Sequence, residues 1–86
     1  MKTNFTLNMI VEAAMENFEG IDFNGMSFSD AVSEKGSLYD LLNEANEFES
    51  LAIYIYSTRD IECEVNDLID FIKRNDKRIG KEMCCY

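Results

Sequence analysis

The sequence predicts a small α+β domain, and three observations lead there. Ser50-Leu51-Ala52-Ile53-Tyr54-Ile55-Tyr56-Ser57 is uncharged and rich in β-branched and aromatic residues, the composition of a strand. Residues 61–65, Ile-Glu-Cys-Glu-Val, alternate apolar and acidic side chains with period two. Three further stretches, 7–19, 38–48 and 66–80, repeat apolar residues at the three- and four-residue spacing of one helix face. The expected architecture is a small antiparallel sheet with its central strand at 50–57, a hairpin partner at 61–65 and a short hairpin at 21–28, packed against three main helices. With 86 residues the chain makes a single acidic domain with a modest core, and residues 82–86 read as a frayed tail.

In the first helix Leu7, Ile10, Val11, Ala14 and Phe18 share the buried face. Thr6 supplies a cap, Phe5 and Ile10 occupy the positions of a hydrophobic staple, and Gly20 is a natural terminator. Glu12, Glu16 and Glu19 fall on the outer side. Asn24-Gly25 is a strong two-residue turn signal, and a hairpin around it would place Ile21, Phe23, Met26 and Phe28 on one face. Tested as a calcium loop from Asp22, the stretch fails: its twelfth residue is Ser33, not glutamate.

A short helix through Ala31, Val32 and Lys35 follows, with Ser27 or Ser29 as cap and Gly36 at its end. Ser37-Leu38-Tyr39-Asp40 approximates a capping box for the next helix, whose core side is Leu38, Leu41, Leu42, Ala45 and Phe48. Asp40, Glu44 and Glu47 form a second outer acidic row. After the central strand, Thr58-Arg59-Asp60 is turn-like, and the second strand would point Ile61, Cys63 and Val65 inward and Glu62 and Glu64 outward. The rival for this segment is a helix, because Ile61, Val65, Leu68 and Ile72 also fit period 3.6. Asn66 is the expected cap of the last helix, which buries Leu68, Ile69, Ile72 and Ile79. Lys73, Arg74, Lys77 and Arg78 complement the dipole of its C-terminal turns.

The formal net charge is -9. Residues 1–50 carry ten acidic side chains against two basic, whereas residues 71–86 carry five basic against two acidic. An acidic body repels phosphate backbones and suits basic partners, so direct nucleic-acid binding is not expected. No stretch has transmembrane length and no signal-peptide pattern opens the chain, so no membrane association is expected. The three cysteines, Cys63, Cys84 and Cys85, make no disulfide framework, which points to a reducing cytoplasm.

The chain has no histidine, which removes the commonest general base and every Cys-His or Ser-His nucleophile pair. Its four glycines form no phosphate loop, and its carboxylates follow no metal-ligand spacing. No enzyme, cofactor or metal is expected. The expectation is an acidic protein-interaction module whose carboxylates pair with lysines and arginines of another protein. The candidate partner-binding residues are Glu12, Glu16, Glu19, Asp40, Glu44 and Glu47, with Asp60, Glu62 and Glu64 beside them. In its sharpest form such a module mimics nucleic acid. Small acidic inhibitors that phages and mobile elements direct at restriction or CRISPR nucleases share this charge and size, an analogy of composition without a shared motif. The alternative is a structural or regulatory module, homo-oligomer or adaptor. It would associate through a sheet edge and through apolar surface supplied by Phe23, Met26, Tyr39, Tyr54 and Tyr56.

Overall fold

The computed structural model describes residues 4–84. They form five helices in the order α1 (Leu7–Phe18), α2 (Phe28–Lys35), α3 (Leu38–Ala45), α4 (Phe48–Arg59) and α5 (Val65–Cys84). There is no strand among the described residues, so the protein is all-helical and the expected α+β sheet is overturned. No helix among the described residues is long and apolar enough to cross a membrane.

The largest correction concerns residues 50–57, which are helical and belong to α4. Phe48, Leu51, Ala52 and Ile55 are its buried residues, at the i, i+3, i+4, i+7 spacing of one helix face. A lone strand leaves its backbone donors and acceptors unmet, whereas a helix satisfies them within the segment. With no second strand to pair with, β propensity gives way to tertiary context. The expected hairpin partner at 61–65 is irregular through residue 64, and Val65 opens α5. The alternation there is nevertheless expressed in burial: Ile61, Cys63 and Val65 are half-buried, while Glu62 and Glu64 are exposed. At 21–28 only a single antiparallel bridge forms, between Phe23 and Met26. The turn it closes holds Asn24 and Gly25 at φ 61° and 85°, the left-handed values that an Asn-Gly turn accommodates.

The helices start and stop where their caps dictate. Thr6 Oγ1 accepts from the Met9 amide, Ser27 Oγ from Asp30 and Ser37 Oγ from Asp40. Gly36 ends α2 at φ 88°. Asn46, at φ 58°, ends α3 before Phe48, so α3 is shorter than the expected 38–48. The last helix begins one residue before its expected cap Asn66, with the Leu68 amide bonded to the Glu64 carbonyl. It runs through Cys84 with Met83 buried, into the stretch read as a tail. Of the adjacent thiols at Cys84 and Cys85, the Cys84 side chain and all of Cys85 lie outside the described residues.

The helix around which the fold is organised is α5, which packs against all four others. Leu68, Ile72, Ile79 and Met83 form its buried stripe, each contributing about 1.5–3 kcal/mol of burial. Asp76 Oδ1 accepts from the Tyr39 amide at 3.0 Å, so a side chain of α5 caps α3 from 37 positions away. Lys73 Nζ lies 5.2 Å from the centre of the Tyr39 ring, reinforcing the same contact. Gly80 sets α5 against the α2–α3 link, where an added β-carbon would lie 3.6 Å from Ser37 Cα. Helix α4 lies against α1 and α5.

Candidate protein-docking face

Helix α4 has two unlike sides. Toward α1, Arg59 in its last turn reaches Glu16 at 3.1 Å and Glu12 at 3.7 Å, and the Tyr54 hydroxyl donates to Glu16 at 2.8 Å. The Tyr54 hydrogen bond, followed by that from Arg59, holds the Glu16 carboxyl below its ordinary value. The same bond stabilises the neutral phenol and raises Tyr54. Glu12 and Glu16 thus hold two helices together within the molecule.

Away from α1, α4 presents Ile53 and Tyr56, 62% and 57% exposed. They stand three positions apart and therefore on one helix face. With Glu49, Ala52, Cys63 and Val65 they line a groove of about 280 Å³ between α4 and the segment entering α5. Burial, and then the negative charge of Asp67, pushes the Cys63 thiol up to about 11. It is neutral at physiological pH and forms an apolar patch of the groove's lining. Glu62 and Glu64 flank Cys63 and point to solvent, and Asp60 ends α4 in the left-handed conformation at φ 55°.

The other expected carboxylates are dispersed. Glu19 is exposed beyond the end of α1, so the row of Glu12, Glu16 and Glu19 is not continued by helix to its last member. Asp40 is exposed in the first turn of α3, and Glu44 is ion-paired with Lys35 of α2. Glu47 is half-buried past the end of α3, and its carbonyl starts α4. The left-handed residue Asn46 therefore breaks the row of Asp40, Glu44 and Glu47. Asp60, Glu62 and Glu64 stay together along the chain as exposed carboxylates around Cys63, and Glu16 and Glu19 meet in a second cleft beside exposed Ile21.

Among the residues expected to supply apolar contact, Tyr56 is exposed. Phe23, Met26, Tyr39 and Tyr54 are half-buried and pack against the core. Phe23 is edge-on to Phe18 at 6.0 Å and Tyr39 sits 5.4 Å from Phe48. Ile53 escaped the sequence reading because a strand covered on both faces would have buried it. Its signal is the helical phase of Phe48, Leu51, Ala52 and Ile55, which leaves position 53 on the other side.

Four larger clefts lie elsewhere on the described residues, and two of them, about 560 and 530 Å³, flank the turn at 22–26. The first is lined by Asp22, Glu34 and the Lys35–Glu44 ion pair, so it differs from the α4 groove in holding a cation. No cluster of three or more metal-ligating side chains occurs among the described residues. No known family model matches the chain, and comparison with curated proteins and with solved structures found no similar one.

Proposed function

We propose that this chain is a non-enzymatic acidic protein-interaction module that engages a basic surface on another protein. The observation that carries the reading is the uneven internal use of its carboxylates. Arg59 and Lys35 engage Glu12, Glu16 and Glu44. Glu19, Asp40, Asp60, Glu62 and Glu64 are exposed and form no ion pair with a described residue. Unmatched surface carboxylates raise the encounter rate with basic partners and select for them. In its sharpest form the partner is a nucleic-acid-binding protein of a defence or regulatory system, and the carboxylates occupy its phosphate-binding surface in a cytoplasmic setting.

The test is capture by the immobilised chain at low and at physiological salt, with duplex DNA as competitor. The expected result is a basic nucleic-acid-binding protein held at low salt, released as salt rises and displaced by DNA. Charge reversal at Glu62 and Glu64 should weaken binding about tenfold, about 1.4 kcal/mol. Affinity indifferent to salt rejects the acidic reading.

A second reading, association through apolar surface, is favoured by the exposure of Ile53 and Tyr56. Its sheet-edge form falls with the sheet. Its apolar form predicts binding that survives high salt and reversal of Glu62 and Glu64, and is lost on changing Ile53 to serine.

A further inference from the structure

We infer that the groove between α4 and residues 61–65 receives one large apolar side chain from a partner segment that is otherwise rich in lysine and arginine. This rests on the protein-interaction reading and names the chemistry of the partner. The size of the groove sets the first limit. At about 280 Å³ it falls just short of ordinary cofactor sites, about 300–1,000 Å³, and suits a single anchoring side chain. Ile53 and Tyr56 supply an exposed apolar wall, and Ala52, Cys63 and Val65 close the floor.

Charge sets the second limit. Glu49 stands in the wall, Glu62 and Glu64 flank Cys63, and Asp60 precedes them, while no lysine or arginine lines the groove. A second copy packed on the same patch about a two-fold axis would set these carboxylates against their own counterparts, a repulsive arrangement. Ile21, the other exposed large hydrophobic among the described residues, stands between the exposed acids Glu19 and Asp22 and would bring more negative charge to the rim, which leaves the basic face of α5. Lys73, Arg74, Lys77, Arg78 and Lys81 are all exposed there, but no exposed large hydrophobic residue stands among them to fill the groove. The occupant that meets both limits is a foreign basic segment with an apolar anchor: the anchor fills the groove and the cations meet the carboxylate rim.

The experiment uses the full chain and two labelled peptides, read by fluorescence anisotropy. One peptide is a run of lysine and arginine with a single central tryptophan, and the other has alanine at that position. The tryptophan peptide should bind about tenfold more tightly, about 1.4 kcal/mol. Ile53→Ser, or Tyr56→Ser as an independent variant, should bring the two affinities together. Both side chains are exposed, so neither change opens the core. Glu62→Lys with Glu64→Lys should weaken both peptides alike and flatten their salt dependence. Equal binding of the two peptides, with salt dependence retained, overturns the groove and leaves the acidic reading standing. An anchor preference that survives both serine variants likewise overturns the groove. Binding of neither peptide at low salt overturns both.

Discussion

The two sides of α4 use similar residues to opposite ends. On the inner side Leu51 and Ile55 are fully buried, and Arg59 ties the helix to Glu12 and Glu16 of α1. On the outer side Ile53 and Tyr56 are more than half exposed, beside carboxylates with no cation in the groove wall. Apolar residues at 51 and 55 stabilise the fold. Apolar residues at 53 and 56 are more exposed than buried and contribute little to it.

The sharpest way to break this contrast is to truncate both sides in parallel. Leu51→Ala should cost about 2–5 kcal/mol, because it leaves a cavity in the buried core that cannot fully collapse. Ile53→Ala should change stability by no more than about 0.5 kcal/mol. Urea unfolding of the two variants measures both. A cost at Ile53 comparable to that at Leu51 would mean that the outer side is structural, and the docking face would lose its basis.

The same contrast explains what could be read from the sequence. Helices α1, α3 and α5 were legible because their apolar residues keep helical phase against polar intervals, and because Thr6 and Ser37 announce their starts. Alternation at 61–65 gave the correct inward and outward sides but implied a sheet, since period two describes any extended segment lying on a core. Helix α4 was misread because its outer side is apolar as well, which erases the phase that marks a helix. The residues that hid its conformation, Ile53 and Tyr56, are those that make its outer side a candidate site. Ion pairing was not legible either. Nothing in the spacing of Glu12 and Glu16 shows that Arg59, 43 positions from Glu16, folds back onto them.

Between α5 and α3 a smaller effect tests whether α5 organises the fold through polar contacts as well as apolar ones. Asp76→Ala removes the carboxylate that caps the Tyr39 amide and should cost about 1 kcal/mol. Hydrogen exchange should show the loss in the first turn of α3. Uniform loosening of all five helices instead would indicate that Asp76 acts on global packing.

An opposite sign is expected at Gly80, where α5 meets the α2–α3 link. Its β-carbon would meet Ser37 Cα and the Gly36 carbonyl at 3.6 and 3.7 Å, ordinary contact distances. Gly80→Ala should therefore gain up to about 1 kcal/mol from helix propensity and reduced freedom of the unfolded chain. A loss, measured as a lower urea midpoint, would show that the α2–α3 link cannot accommodate even a methyl group.

The smallest effect is electrostatic and probes the seam itself. Tyr54 and Arg59 lower the folded-state pKa of Glu16, so the unfolded chain takes up its proton first as pH falls. The stabilisation from this carboxylate is thus present above the unfolded value and is lost as pH falls through the lower folded value. Glu16→Gln keeps an acceptor for Tyr54 but removes the charge. Wild type should exceed this variant in stability near neutral pH, the gap should narrow through the acid range, and added salt should reduce it at neutral pH because the carboxylate is exposed. Urea midpoints of the pair across the acid range measure the gap. If it is the same at every pH, the Glu16 side chain acts by packing against α4, and the inner side of the helix is held by shape alone.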